Sequence, residues 1–204
     1  MPTTRSRAWE FLVVGSLATF AAGGLTWLTA RLGIFGAKPL AEMLLALTLL
    51  HFYPEHNERP WSIRLVAALI GLALALVFVW IVVFAWGKVR FVDVSALEPG
   101  TIILTLISAV ITAPIFEEKV VRGLLAQGLA SFTTPLTSAA LVSLVFALTH
   151  DGAMLWSFMV SMLFCALVFR WRLNVFQRSL THGLLNLMIL LWYGTNGYGI
   201  SPWV

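Results

Sequence analysis

The stretch "IFEEKVVRGLL", residues 115–125, places charged side chains in a run of sequence that is otherwise suited to a lipid bilayer. Its charged members are Glu117, Glu118, Lys119 and Arg122. An unpaired charge in the hydrocarbon core costs several kcal/mol. We therefore expect Glu118 and Arg122 to form an ion pair inside a helix bundle, and Lys119 to extend towards the membrane surface or a neighbouring helix.

The composition of the 204-residue chain is that of a membrane protein. Hydrophobic residues make up 60% of it and charged residues 11%, and its mean hydropathy is +0.92. A soluble domain needs far more charge to cover its surface. The apolar runs approach the ~20 residues that cross a ~30 Å hydrocarbon layer as a helix. The sequence therefore predicts an all-α, polytopic transmembrane helix bundle.

About seven spans are predicted, within a single membrane domain. The first follows a short basic N-terminus and resembles an uncleaved signal anchor, and a polar connection at 87–100 separates the two halves of the chain. Pro114 is expected to break the fourth helix just before the glutamates. The spans are predicted near residues 9–30, 39–53, 63–86, 102–130, 136–150, 153–169 and 174–193.

The basic residues, 13 against 9 acidic ones, lie mainly at the ends of these spans. That distribution is typical of the positive-inside tendency and does not indicate a nucleic-acid-binding patch. It favours a cytosolic position for the turn at residues 131–135.

Three polar patterns stand in the second half of the chain, each with residues four apart, which share one face of a helix. At ~1.5 Å per residue, the first two patterns lie roughly 20 Å from the turn at 131–135. We expect all three to meet at one depth, in the outer half of the bilayer. The patterns are Glu117-Glu118-x-x-x-Arg122, Phe146-x-x-x-His150 and His182-x-x-x-Asn186.

Taken singly, each pattern has a structural explanation. The first could be an ion pair, the second an interfacial histidine and the third an interhelical hydrogen bond. Together, ionisable residues at one depth inside a membrane indicate a functional site.

In this order on successive helices, EExxxR, FxxxH and HxxxN resemble the CPBP family of intramembrane proteases. That family includes the type II CAAX prenyl endopeptidases and the bacteriocin-processing Abi proteins. The resemblance covers roughly residues 101–191 and implies core catalytic helices at 99–193, after N-terminal spans at 1–98 that carry no motif. It implies an endopeptidase that cuts near the C-terminal end of a membrane-anchored or lipidated protein or peptide.

The resemblance also implies a role for each motif residue. Glu117 would be the general base on water, and His150 would hold that water or help to activate it. His182 and Asn186 would stabilise the oxyanion. The supporting residues would be Glu118, Arg122 and Phe146.

Two mechanisms are open at this point. Glu117, His150 and His182 could hold zinc with a bound water. The sequence has no HExxH pattern and no cysteine near the motifs, which favours a glutamate mechanism without a cofactor.

Two other function classes remain as alternatives. A proton-coupled transporter would also bury glutamate and histidine, although paired repeats are absent from the sequence. A non-proteolytic scaffold or immunity protein is the second alternative. We expect a multi-pass protein of a prokaryotic plasma membrane, and the sequence leaves its oligomeric state open.

Overall fold

A computed structural model describes residues 4–34, 36–55, 59–85, 98–150 and 153–195. Every regular element in these residues is helical, and the elements join into seven helices, which confirms the predicted all-α bundle. The predicted connection at 87–100 lies mostly outside the described residues. The helices are α1 Arg5–Arg31, α2 Ala37–Phe52, α3 Ile63–Ala85, α4 Pro99–Ala130, α5 Pro135–Leu148, α6 Met154–Phe169 and α7 Val175–Thr195.

Three of these helices, α1, α3 and α4, are long and apolar enough to cross a membrane, and α5 and α6 are shorter apolar helices. Large apolar side chains point away from the bundle along them, such as Phe20, which is 78% exposed, and Ile63, which is 84% exposed. Such a surface is stable in lipid and not in water. The chain is therefore an integral membrane protein.

α4 departs from regular α-helix on both sides of the proline that was expected to break it. Wide π-helical turns occupy Ser108–Thr112 and Glu118–Ala126, with a short α-helical stretch, Ala113–Glu117, between them. The prediction of a break at Pro114 was wrong, because the helix continues through it. Proline has no N–H to donate, and the π-turn before it accommodates that gap within a continuous helix.

The apolar face of α4 packs against the first two helices. Phe116, Val120 and Leu124, which are four residues apart, are buried against α1 and α2. Residues 118 and 122 lie on the opposite face of α4, because each stands two positions after one of these apolar residues. The packing of α4 on the N-terminal helices therefore directs Glu118 and Arg122 towards α5, α6 and α7.

Several connections meet at one end of the bundle. The Tyr53 hydroxyl at the end of α2 donates to Glu10 at the start of α1 over 2.9 Å. The Gln177 amide at the start of α7 donates to the Arg59 carbonyl before α3 over 2.7 Å. We call this the basic end, because the start of α1 and the connections at this end carry five arginines: Arg5, Arg7, Arg59, Arg170 and Arg172.

Candidate active site

Glu118 is the centre of a buried charged cluster. Its carboxylate is 0% exposed and is contacted by side chains of two helices, α4 and α7. Oε1 lies 3.4 Å from Nη1 of Arg122 and 3.1 Å from Nδ1 of His182. Oε2 accepts from Nε of Arg178 at 3.1 Å. The predicted pair of Glu118 with Arg122 is therefore formed, and a second arginine joins it.

The sequence analysis did not single out Arg178. It lies four residues before His182, so the two share one face of α7 with Asn186. This spacing could have identified Arg178 from the sequence, because an arginine on the same helix face as a polar motif faces the same neighbouring helix.

His182 links the two adjacent glutamates of α4. Its Nδ1 contacts Glu118, and its Nε2 lies 3.7 Å from Oε2 of Glu117. The ring stacks on Phe164 with centroids 5.1 Å apart. The Glu117 side chain is 26% exposed, while that of Glu118 is fully buried. The two carboxylates therefore have different surroundings, and Glu117 is the more accessible of the two.

Arg122 connects the first motif with the second. Its guanidinium carbon lies 4.5 Å from the ring centroid of Phe146 and 5.6 Å from that of Phe164. Among the residues that the structure describes, its nitrogens have no hydrogen-bond partner. The ion pair with Glu118 and the two aromatic faces therefore hold this buried cation.

His150 follows the end of α5. Its Nδ1 lies 2.8 Å from the carbonyl oxygen of Phe146 and 3.1 Å from the hydroxyl of Thr149, and its ring lies 4.3 Å from the Phe146 ring. The Phe146 and His150 rings, predicted to share one face, are therefore in contact. Since Phe146 also covers Arg122, these contacts join His150 to the cluster through one aromatic ring.

The alternative of a zinc site was tested on the same geometry. Across the described ranges, no three histidine, cysteine, aspartate or glutamate side chains gather closely enough to hold a metal ion. The trio of Glu117, His150 and His182 therefore does not fit zinc in this arrangement, and we derive no step through a metal.

Asn186 and Gly183 fit α7 against the first π-turn of α4. The Asn186 amide donates from Nδ2 to the Ala109 carbonyl at 2.8 Å, five residues before Pro114, which has no N–H to offer. A Cβ at Gly183 would collide with the carbonyl of Val110. The third motif thus also packs α7 against α4, and one amide hydrogen of Asn186 is bonded to the α4 backbone.

Residues 99–188 match the family described as type II CAAX prenyl endopeptidase Rce1-like. This match supports membership of the CPBP family for this part of the chain. The matched segment contains all three motifs. The family is a protease family, which supports a membrane protease in general terms, and it suggests a membrane-associated peptide or a prenylated protein as substrate. No curated protein and no solved structure matches the chain.

Glu55 reaches the cluster from outside the matched segment. It lies on the connection between α2 and α3, and its carboxylate oxygens lie 3.3 Å from Nη1 and Nη2 of Arg178. Oε1 is also 3.7 Å from the Lys119 ammonium, which donates to the Tyr53 carbonyl as well. Lys119 therefore faces a neighbouring segment, one of its two predicted positions.

Glu42 is a second acid from the N-terminal part. It is buried in α2 and accepts from the hydroxyls of Ser108 at 3.0 Å and Thr112 at 2.8 Å. Both donors belong to the first π-turn of α4. A carboxyl group within an apolar span was the signal that sequence reasoning missed.

The cluster lies close to the basic end. Arg178 contacts Glu118 and also the carbonyl of Leu173, which precedes α7. Gly128, near the end of α4, packs against the Ala8 carbonyl of α1. The prediction that the first two motifs lie roughly 20 Å from the turn at 131–135 stays a prediction.

Proposed function

We propose that the protein is an intramembrane endopeptidase in which Glu117 activates water to cut a peptide bond near the C-terminal end of a membrane-anchored or lipidated substrate. The observation that carries the proposal is the difference between the two adjacent glutamates. Glu117 is partly exposed and lies 3.7 Å from His182, whereas the Glu118 carboxylate is fully buried and occupied by two arginines and a histidine.

In the proposed reaction, Glu117 removes a proton from water as the water oxygen attacks the scissile carbonyl. The carbon–nitrogen bond then breaks, and Glu117 returns the proton to the leaving amine. Glu118 is not suited to this role, because its oxygens already accept from Arg178 and His182 and pair with Arg122, and it is fully buried.

The oxyanion is stabilised from α7 in this scheme. Glu118 accepts the Nδ1 hydrogen of His182, so a second proton on Nε2 would make the other side of the ring a donor. The second amide hydrogen of Asn186 is available as another donor, since Ala109 takes only one. His150 would hold the attacking water from the side of α5.

We assign the site to the half of the bilayer at the basic end, and we place that end in the cytosol of a prokaryotic plasma membrane. The connection 170–174 carries two arginines, and positive charge favours the cytosolic side. A cytosolic site suits a CAAX-type substrate, whose C-terminus lies on that side. No cofactor is required in this scheme.

Labelling of single cysteines tests the orientation. In a Cys165→Ala background, Thr133→Cys marks the basic end and Ile34→Cys marks the opposite end. A membrane-impermeant maleimide added to intact cells should label Ile34→Cys alone. Labelling of Thr133→Cys alone would place the site on the outer side.

Cleavage of defined substrates tests the activity. The purified protein should be incubated with membrane-anchored peptides that carry a C-terminal CAAX-type sequence, with and without a prenyl group, and the products identified by mass spectrometry. Glu117→Gln should lower turnover about 10²–10⁴-fold without loss of folding, while Glu10→Gln, at the exposed start of α1, should cleave like the wild type.

Two results would contradict the assignment. Wild-type turnover by Glu117→Gln would remove Glu117 from the chemistry. A folded wild type that cuts none of the peptides would favour the non-proteolytic alternative.

A further inference from the structure

Arg178 joins two carboxylates that come from different parts of the chain. Its guanidinium donates to the side chain and the backbone carbonyl of Glu118, both at 3.1 Å, and to the Leu173 carbonyl. On the other side, its two terminal nitrogens each lie 3.3 Å from an oxygen of Glu55. This two-pronged arrangement fixes the plane of the guanidinium.

We propose that Glu55 is a positioning residue for the active site, which acts by holding Arg178 and thereby the carboxylate of Glu118 and the ring of His182. The proposal rests on the proposed function for its kinetic consequence. It goes beyond the family match because residue 55 lies outside the matched segment 99–188.

The charges of the cluster require this acid. The cluster contains three cations, Lys119, Arg122 and Arg178, and two acids of α4, Glu117 and Glu118. The carboxylate of residue 55 supplies the third negative charge and contacts two of the cations directly. Neutralising it would leave two buried cations short of a partner, which is unfavourable where water is scarce.

Loss of the Glu55 carboxylate would affect His182 because the two oxygens of Glu118 have different partners. Oε1 serves Arg122 and His182, while Oε2 serves Arg178. If Arg178 lost its contacts with Glu55, its guanidinium would be free to turn towards both oxygens of Glu118. It would then compete with Nδ1 of His182 and change the position of Nε2 relative to Glu117.

The connection that carries Glu55 is held in place by further contacts. Lys119 donates to the carbonyl of Tyr53, and Gln177 donates to the carbonyl of Arg59. Tyr53 is thus bound to α4 and Arg59 to α7, and such contacts next to Glu55 support a positioning role.

Gly123 provides a way to displace Glu55 without changing any charge. A Cβ at this position would collide with Oε1 of Glu55, while its other neighbours, the Glu118 carbonyl and the Lys119 side chain, lie at an ordinary 3.5 Å. The colliding atom is the end of a flexible side chain, so the carboxylate can move aside. Gly123→Ala therefore perturbs Glu55 selectively.

Kinetics of four variants test the proposal. Glu55→Gln and Gly123→Ala should lower kcat about 10- to 100-fold while KM stays near the wild-type value, because in this proposal Glu55 acts through Arg178 and not on the substrate. Glu55→Asp, which keeps the charge, should restore part of the rate. Glu10→Gln removes a carboxylate that also contacts Tyr53 and should leave kcat unchanged.

A double-mutant cycle identifies the partner. Arg178→Lys keeps the positive charge but loses the planar, two-pronged hydrogen bonding of the guanidinium. If Glu55 acts through Arg178, the loss in the double variant Glu55→Gln with Arg178→Lys should be smaller than the product of the two single losses. Independent effects would contradict the proposed coupling.

Histidine ¹⁵N spectra in detergent give a readout that does not need activity. The chain has four histidines, and His182→Ala assigns the relevant signals. Glu55→Gln and Gly123→Ala should shift the His182 signals, whereas Glu10→Gln should not. If the wild type is inactive and the signals still shift, the proposed function fails and the positioning role stands. Unchanged signals together with unchanged kcat in both variants would overturn the inference.

Discussion

Replacing Arg122 tests how the buried cluster contributes to stability. The side chain is fully buried, with Nη1 3.4 Å from Glu118 and the guanidinium 4.5 Å and 5.6 Å from the Phe146 and Phe164 rings. Arg122→Ala removes the ion pair, both aromatic contacts and the volume of a large side chain. Arg122→Met removes the charge and fills most of the space.

The structure indicates the size of the effect. Breaking a buried ion pair from one side costs about 3–5 kcal/mol, because the remaining charge is stranded. In this cluster Arg178 and His182 still bind Glu118, so the free energy of unfolding should fall by about 3 kcal/mol for Arg122→Ala, the lower end of that range. Arg178→Met removes the cation that joins Glu118 to Glu55, and its cost should approach about 5 kcal/mol.

Thermal unfolding in detergent micelles measures the difference. At about 2–4 °C per kcal/mol for a chain of this size, Arg122→Ala should lower the Tm by roughly 6–12 °C. Arg122→Met should lie between Arg122→Ala and the wild type. The reasoning fails if Arg122→Ala melts like the wild type, or if Arg178→Met is no less stable than Arg122→Met.

Two further predictions concern the packing of α7 on α4. Gly183→Ala should destabilise the protein by about 1–3 kcal/mol, because the backbone of Val110 cannot move aside as a side chain can; Gly194→Ala, with open space around it, is the matched control, and an equal Tm for the two variants would contradict the clash. Asn186→Ala should lower stability by about 1–3 kcal/mol, because it leaves the Ala109 carbonyl without its donor, and should also slow cleavage. A loss of rate in Asn186→Ala with an unchanged Tm would show that the hydrogen bond to the backbone is dispensable.

The helices were predictable because each is a local property of the chain. A run of apolar residues long enough to cross a bilayer forms a helix wherever it lies in the sequence. Even the short second segment, predicted at 39–53, forms a helix, Ala37–Phe52, and its crossing of the membrane stays a prediction. The behaviour at Pro114 was not predictable in the same way, because a proline can either end a helix or be absorbed in a π-turn. The packing of α4 against α1, α2 and α7 decides between them.

Contacts within one helix were also predictable. The spacing of Glu118 and Arg122 places them on one face, and they form an ion pair. The roles of the motif residues in hydrolysis remain predictions, as do the single-domain arrangement and the absence of a cofactor.

By itself, the sequence determined that this is a helical membrane protein and which residues share a helix face, since both follow from composition and a period of 3.6 residues. Only the tertiary structure decided that Glu55 and Arg178 complete the cluster and that the cluster lies close to the basic end. Contacts between helices depend on how each helix is rotated and how far it extends past its neighbours, and no spacing within one segment specifies these. From the sequence alone, an acid in a polar connection is expected to be solvated at the surface. The fold instead brings Glu55 to within 3.3 Å of the buried Arg178.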